Sequence, residues 1–208
     1  MLLFIRILTS YLIFIPSLLQ SQDPQRIVDE VQKKYSSFQS FSANFTQEIQ
    51  SSAFEEKQIV KGKLLFAKEN NYRLDYKNHL IVSDGKTIYN YSKNLKRVII
   101  TNFEENFFSP QNLLVYIPKE SKLEFKGEEF SGKEILKIIS FIPSKINSQY
   151  KSFKIWVDSD SFIKKIETED WAQNKYTITI HTFIPNLKID PEQFRFKIPK
   201  GVKVVDFR

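Results

Sequence analysis

Histidine, cysteine and paired acidic residues carry much of the catalytic and metal-binding chemistry of proteins, and this sequence offers few of them. Cysteine is absent, which excludes thiolate chemistry and disulfides, and the two histidines are His79 and His181. We expect His79 at a hairpin end and His181 on the polar face of a strand. The sequence contains no glycine-rich phosphate loop and no G-x-S-x-G nucleophile elbow. We therefore expect no catalytic residue, no cofactor and no metal, in a protein that is not an enzyme.

The acidic residues have simple structural interpretations. Asp158 and Asp160 resemble part of a calcium loop, but the glycine and terminal glutamate of such a loop are missing. A hairpin turn is expected there instead. The adjacent glutamates at 104–105 and 128–129 cannot face each other across a bond, as the two carboxylates of a glycosidase must. Both pairs are predicted to be loop charges in solvent.

Aromatic and aliphatic residues remain as candidates, and they alternate with polar residues across 41–91. This period of two predicts strands with one polar and one apolar face. Turn signals at Asn70-Asn71 and Asp84-Gly85 separate the strands and indicate an antiparallel meander. The alternating positions in its first three strands are Phe41, Ala43, Phe45, Val60, Gly62, Leu64, Phe66, Tyr72, Leu74 and Tyr76.

Two predicted helices would cover this apolar face. Asp23 as N-cap and Pro24 at the first helical position begin an amphipathic helix. The segment 102–118 has no strand alternation, and Ser109-Pro110 marks the start of a second, strongly apolar helix. Together the helices would form a lid over a curved sheet. The apolar positions concerned are Ile27, Val28, Val31, Tyr35 and Phe38 in the first helix and Leu113 and Leu114 in the second.

The remaining pattern predicts more strands within a single domain. Strands are expected at 123–125, 134–141, 152–157, 163–169 and 175–183, and Asp190-Pro191 begins a last helical turn before one or two C-terminal strands. The expected fold class is mainly β (α+β). It is an incomplete antiparallel β-barrel of about ten to twelve strands, with short helices forming a lid over a hydrophobic cavity. A length of 208 residues fits one domain of this kind.

The apolar face has two possible roles. An ordinary core packs to crystal-like density, whereas the flat rings of 19 Phe and 9 Tyr leave irregular space between them. The face could therefore be a plain core rich in Phe. It could also accept acyl chains, since each buried CH₂ group contributes about 0.8 kcal/mol. Composition alone favours the plain core.

The N-terminus indicates export. Residues 1–22 carry a single charge, Arg6, and an apolar stretch that is too short to span a bilayer but fits a signal peptide. An uncleaved N-terminal anchor is the alternative. We expect a periplasmic protein with residues 23–208 as its folded domain. The formal net charge of +7 is spread over strand edges and turns, so we expect it to protect sheet edges rather than to bind nucleic acid or an anionic membrane surface.

Four motifs carry a resemblance to a known family. They are FSANFTQ at 41–47, Gly62-Lys63-Leu64 followed by YRLDY at 72–76, LIVSDGKTIYNYS at 80–92, and FRFKIPKGVKVVDFR at 194–208. In this order they resemble the outer-membrane lipoprotein carrier family, the periplasmic LolA-type chaperones. The resemblance covers almost all of the chain after residue 22.

This resemblance implies a carrier whose cavity holds the acyl chains of lipoproteins. Such a carrier receives its cargo from an inner-membrane ABC-type release complex and hands it to a possible outer-membrane acceptor, as a monomer and without nucleotide. The expected lipid-binding residues are Val31, Tyr35, Phe41, Phe45, Leu64, Phe66, Tyr72, Leu74, Leu113 and Leu114. Replacing Tyr72 by Glu is expected to abolish cargo binding without unfolding the protein.

The sequence departs from the family pattern in the C-terminal motif, which has one residue fewer before the final Arg, and at two further points. The family's Arg-Pro, whose Arg helps to hold the lid closed, corresponds to Lys68-Glu69, which makes Lys68 the candidate lid latch. Lysine is a point donor rather than a planar fork, so this latch would be weaker. Arg73 is the nearest alternative, although it should face away from the cavity. The family's Trp is Leu74, which keeps the pocket apolar but reshapes it.

Two other functions stay open at this point. A periplasmic lipid- or lipoprotein-binding sensor could share the same half-barrel, although such proteins usually carry a second domain. A lipid-processing hydrolase is the other alternative, and the absence of a nucleophile–base pair counts against it.

Overall fold

The computed structural model describes residues 23–53, 57–103, 121–142 and 150–208. The predicted signal peptide and the predicted lid helix with Leu113 and Leu114 lie outside these residues. Among the described residues, no helix is long and apolar enough to cross a membrane. The elements are α1 (Pro24–Ser37), β1 (Ser40–Gln50), β2 (Lys57–Ala67), β3 (Asn71–Tyr76), β4 (His79–Asp84), β5 (Thr87–Ser92), β6 (Arg97–Asn102), β7 (Lys122–Ser131), β8 (Glu134–Ile142), β9 (Tyr150–Val157), β10 (Ile163–Asp170), β11 (Lys175–Pro185), a 3₁₀ helix (Pro191–Phe194) and β12 (Lys203–Asp206).

The strands form one twelve-stranded sheet in the order β12-β6-β5-β4-β3-β2-β1-β11-β10-β9-β8-β7. Neighbouring strands are antiparallel, except that β12 pairs with β6 in parallel. Among the described strands, β7 and β12 are the two edges and do not pair with each other, so the sheet stays open. This confirms the predicted fold, an incomplete antiparallel barrel with about twelve strands.

Helix α1 begins as predicted and lies on one face of the sheet, which we call the inner face. The Asp23 side chain accepts a hydrogen bond from the Gln25 backbone N–H (2.9 Å), and Pro24 occupies the first turn. The predicted apolar stripe is buried, with Val31 fully inaccessible to solvent. The Tyr35 hydroxyl accepts a hydrogen bond from the backbone N–H of Ile163 at the start of β10 (3.1 Å). This bond ties the helix to a strand 128 residues away.

The C-terminal segment covers part of the opposite face, which we call the outer face. The Phe194 side chain is buried, and the Phe196 ring lies 5.4 Å from Tyr89 and 5.6 Å from Tyr91. Arg73 also faces this side, where its Nη1 donates to the carbonyl oxygen of Gln193 (3.5 Å), as expected for a residue turned away from the cavity. Strands β3 to β6 are therefore covered on the outer face.

Strand β7 is longer than predicted, and this changes the position of two glutamates. The sequence indicated a strand at 123–125, whereas β7 extends to Ser131 through a β-bulge between Phe125 and Gly127. The bulge breaks the alternation, so the pattern did not reveal the second half of the strand. Glu129 therefore lies on a strand rather than in a loop. Its Oε2 accepts a hydrogen bond from Trp156 Nε1 (2.7 Å).

Candidate functional site

The inner face carries one continuous apolar cluster. Residues paired across neighbouring strands point to the same side of a sheet. Pairing across β1, β2, β3 and β4 therefore places four apolar side chains in one row on this face, namely Ala43, Leu64, Leu74 and Ile81. The cluster runs from β4 across β1 to β8 and includes the apolar stripe of α1. Ile139 on β8 is fully buried in it. The predicted apolar face is thus part of a larger surface that spans most of the sheet.

One end of the inner face is a closely packed aromatic core under α1. The Phe41 ring stacks between Phe66 and Phe183, with both centroid distances 4.9 Å. The Tyr35 ring makes an edge contact with Phe183 at 5.4 Å. Phe41 retains 1% of its accessible surface and Tyr72 retains 3%. We call this region the closed end.

The other end of the inner face is apolar but less covered. Along β1 the side chains change from buried Phe41 and Ala43 to half-buried Phe45. Along β3 they change from buried Tyr72 to half-buried Leu74. We call this region the open end, and it consists of Phe45, Leu74, Ile81, Ile178 and Ile180.

Gly62 shapes the open end by letting an aromatic ring lie against the sheet. Gly62 pairs with Phe45 across β1 and β2. A Cβ atom at position 62 would lie 2.3 Å from Phe45 Cζ, closer than real contacts allow. The ring therefore occupies the space that a side chain at 62 would need, which gives a physical reason for glycine in this motif.

The eight predicted lipid-binding residues that the structure describes all belong to this cluster. Val31, Tyr35, Phe41, Leu64, Phe66 and Tyr72 are in its buried part, whereas Phe45 and Leu74 are at the open end. Their role in lipid binding stays a prediction, as does the role of Leu113 and Leu114. Ile81, Ile178 and Ile180 were not predicted as site residues from the sequence. The alternation Thr177, Ile178, Thr179, Ile180 on β11 was the available signal.

The burial of Tyr72 changes the expected effect of a charge at this position. Its side chain lies in the buried part of the cluster, and burial raises the pKa of its hydroxyl to about 12. A carboxylate there would be desolvated without a partner, so Tyr72→Glu would destabilise the fold itself. Leu74, two residues along the same face of β3, is a better position at which to separate binding from folding.

The candidate lid latch lies in an exposed turn between β2 and β3. Lys68 donates its backbone N–H to the carbonyl oxygen of Gln39 (2.9 Å), which ties the turn to the junction of α1 and β1. The Lys68 carbonyl oxygen in turn accepts a bond from Asn71 Nδ2 (2.8 Å). Because the predicted lid helix is outside the described residues, a latching role of the Lys68 side chain stays a prediction.

The two histidines lie where the sequence placed them. His79 begins β4 after a short turn and stacks on Tyr76, with centroids 5.4 Å apart. His181 is exposed on β11, and its Nε2 lies 2.6 Å from Thr46 Oγ1. Both side chains therefore have structural contacts on the sheet.

A polar cavity lies mainly on the outer face of the sheet. It has a volume of about 420 Å³ and is crossed by rows of alternating charge, such as the pairs Lys154–Glu167 and Lys57–Glu48. Its lining suits water and ions rather than acyl chains. The cavity is lined mainly by polar residues of the outer face, and the chemistry of lipid binding fits the apolar inner face.

The fold defines the class as an open half-barrel whose apolar inner face is partly covered by a helix. The family profile described as "Outer membrane lipoprotein carrier protein LolA" matches residues 36–197. The chain therefore belongs to this family. Membership confirms the resemblance seen in the four motifs and the expected periplasmic location, and it places the chain among carriers rather than enzymes.

Individual relatives agree with this assignment. An outer-membrane lipoprotein carrier protein of Glaesserella parasuis serovar 5 (strain SH0165) is 28% identical over 188 residues, covering 87% of this chain and 86% of the relative. One of Actinobacillus pleuropneumoniae serotype 3 (strain JL03) is 26% identical over 187 residues, covering 87% and 84%.

Among solved structures, an uncharacterized conserved protein from Thermus thermophilus has a TM-score of 0.59 at 13% identity. The superposition covers 88% of this chain and 98% of that chain, and it shows a shared fold.

Proposed function

We propose that this protein is a periplasmic chaperone that binds the acyl chains of lipoproteins at the open end of its inner face and ferries them to the outer membrane. The observation that carries the proposal is the change in burial along β1 and β3. A surface that only had to form a core would be covered along its whole length, because exposed apolar area is costly. Here Phe45 and Leu74 remain only partly buried beside the packed core.

The binding partners follow from this proposal and from the family. Cargo would be an acylated lipoprotein, supplied by an inner-membrane ABC-type release complex and passed to a possible outer-membrane acceptor. Residues 1–22 would act as the signal peptide, and residues 23–208 would be the carrier domain. The closed end would keep the half-barrel folded while the open end exchanges cargo.

The proposal is tested with a charge at the open end. Leu74→Glu places a carboxylate on the apolar surface, and Ile59→Glu places the same charge on the outer face, where Ile59 is 62% exposed. An unpaired buried carboxylate costs at least about 1–3 kcal/mol, which corresponds to roughly a ten- to hundred-fold loss of affinity. We expect this loss for Leu74→Glu and wild-type binding for Ile59→Glu.

The assay is a pull-down with a periplasm-exposed lipoprotein and with the same protein lacking its acylated Cys. The wild-type protein should retain only the acylated form. Circular dichroism and urea unfolding would show that Leu74→Glu is folded. Retention of both forms would indicate recognition of the polypeptide, as in a general chaperone or sensor. Unchanged capture of the acylated form by the folded Leu74→Glu variant would show that the open end is not the binding surface.

A further inference from the structure

Positive charge is concentrated at the end of the sheet where the inner face is open. A single cross-strand row connects Phe45 with Gly62, Tyr76, His79, Ser92, Arg97 and Lys203. The turns just beyond this row join β3 to β4 and β5 to β6, and the turn at 200–201 leads towards β12. Phe45 belongs to the open end, so the open end and these turns lie at the same end of the strands.

These turns and the strand ends beside them carry six exposed basic residues, which we call the basic rim. Backbone hydrogen bonds hold them together, since Lys93 N–H donates to the Asn78 carbonyl oxygen (2.7 Å) and Lys203 N–H to the Lys96 carbonyl oxygen (2.8 Å). Among the described residues, one carboxylate pairs with the rim, Asp75 at 3.0 Å from Lys93 Nζ. The rim therefore has a strong excess of positive charge. It consists of Lys77, Lys93, Lys96, Arg97, Lys200 and Lys203.

An exposed leucine lies at the tip of the rim. Leu95 is in the turn between β5 and β6 and is 64% exposed. Turns of this kind favour Asn, Asp, Gly or Ser, so the fold itself does not require a leucine there. Its neighbours Lys93, Asn94 and Lys96 are all exposed. The tip thus presents one apolar side chain within a group of cations.

We propose that the basic rim and Leu95 form a docking surface for an anionic lipid bilayer. Cations attract anionic headgroups, and an apolar side chain that projects beyond them can reach the boundary of the acyl chains. An acidic protein would also attract the rim, but charge alone gives no role to a projecting leucine. The proposal does not depend on acyl-chain binding, because the basic rim and Leu95 lie on turns and strand ends beyond the open end.

Docking in this orientation would bring the open end of the inner face to the membrane surface. Phe45 and the rim residue Arg97 share one cross-strand row, so a bilayer that contacts the rim also lies at this end of β1. The attraction is weak for each residue and falls with salt, which suits a contact that forms and breaks repeatedly.

The test is co-sedimentation of the full chain with vesicles of phosphatidylcholine alone or mixed with phosphatidylglycerol, at low and high salt. The measured quantity is the difference in bound protein between the two vesicle types. Residues 1–22 are present in every variant, so their contribution is the same throughout. We expect the wild-type protein to favour the anionic vesicles and to lose this preference at high salt. Equal binding to both vesicle types at low salt would overturn the proposal.

Charge reversal at the rim is compared with charge reversal at the opposite end of the strands. The rim variant is Lys96→Glu with Lys203→Glu, and the matched control is Lys86→Glu with Lys133→Glu, both exposed turn positions. Each basic residue near an anionic surface changes affinity about five-fold, so the rim variant should lose at least about 25-fold. An equal loss in the control would mean that overall charge, not the rim, causes binding.

The role of the leucine is tested with Leu95→Ser, and Phe130→Ser is the matched control. Phe130 is also an exposed apolar residue (78%), but it lies on β7, away from the rim. Insertion of Leu95 into the interface predicts about a ten-fold loss of anionic-vesicle binding for Leu95→Ser and no loss for Phe130→Ser. Unchanged binding by Leu95→Ser would leave a purely electrostatic surface, as an acidic protein would use, and would overturn the bilayer proposal.

Discussion

The close approach of Phe45 to Gly62 predicts opposite effects of Gly62→Ala on stability. The substitution should destabilise the protein when Phe45 is present and stabilise it when Phe45 is replaced by Ala. A Cβ at position 62 would lie 2.3 Å from Phe45 Cζ and 2.8 and 2.9 Å from its two Cε atoms. Real Cβ contacts under 3.0 Å essentially do not occur, so the ring must move by at least 0.7 Å (3.0 − 2.3). Overpacking of this kind costs roughly 1–3 kcal/mol. We therefore expect Gly62→Ala to destabilise the protein by about this amount.

The same change should stabilise the protein once the ring is removed. Glycine within a strand is less stable than alanine by roughly 0.5–1 kcal/mol, because it loses more conformational freedom on folding. In a Phe45→Ala background nothing opposes this gain, so Gly62→Ala should raise the free energy of unfolding by about 0.5 kcal/mol. The two residues should therefore show a coupling energy of roughly 1.5 kcal/mol or more.

Urea unfolding of the wild-type protein, both single variants and the double variant gives this coupling directly. The slope of the free energy against urea should stay constant across the four proteins, which confirms comparable native states. Additive effects within about 0.5 kcal/mol would refute the reasoning, because the ring would then not occupy the space above Gly62. Cargo capture by Gly62→Ala should also fall, since the displaced ring moves into the open end.

Two further predictions concern hydrogen bonds that join distant or neighbouring segments. Tyr35→Phe leaves the buried N–H of Ile163 without its acceptor and should cost about 1–3 kcal/mol in urea unfolding. Tyr72→Phe is the control, because its hydroxyl has no hydrogen-bond partner among the described residues, and its stability should be unchanged or slightly higher. Equal losses in the two variants would contradict the assigned role of the Tyr35 hydroxyl. The side chain of Asn174 donates to the Asp170 carboxylate and lowers the pKa of that carboxyl. A lowered folded pKa adds stability above the unfolded value of about 3.9, and this stability is lost as the pH falls through the folded pKa. The stability difference between wild type and Asp170→Asn should therefore be present at neutral pH and shrink below about pH 4, and a constant difference in pH-dependent thermal unfolding would contradict this.

The sequence predicted most of the strands because their alternation survives in the structure. The predicted strand at 134–141 is observed as β8, Glu134–Ile142, and the N-cap of α1 is Asp23 as expected. The prediction failed at β7, where the bulge at Gly127 shifts the pattern by one residue. A single-residue shift exchanges the two faces of a strand, so periodicity cannot be followed through it.

The candidate site was only partly accessible to sequence reasoning. Alternation identifies which side chains share a face, and it correctly placed Phe45 and Leu74 beside Phe41 and Tyr72. It does not show how far along the strand the covering helix reaches. The difference between buried Tyr72 and half-buried Leu74 depends on where α1 and its neighbours pack, which is a property of segments far apart in the chain.

Local physical chemistry therefore determined the elements of this protein, and long-range contact decided its surfaces. Some features depend on only a few consecutive residues, so the local sequence is enough to predict them. They are the period-two alternation, the helix cap at Asp23 and the turn residues. The hydrogen bond from Ile163 to Tyr35 and the pairing of Lys203 with Arg97 join residues more than 100 positions apart. Only the folded chain brings such residues together, and with them it creates the open end and the basic rim.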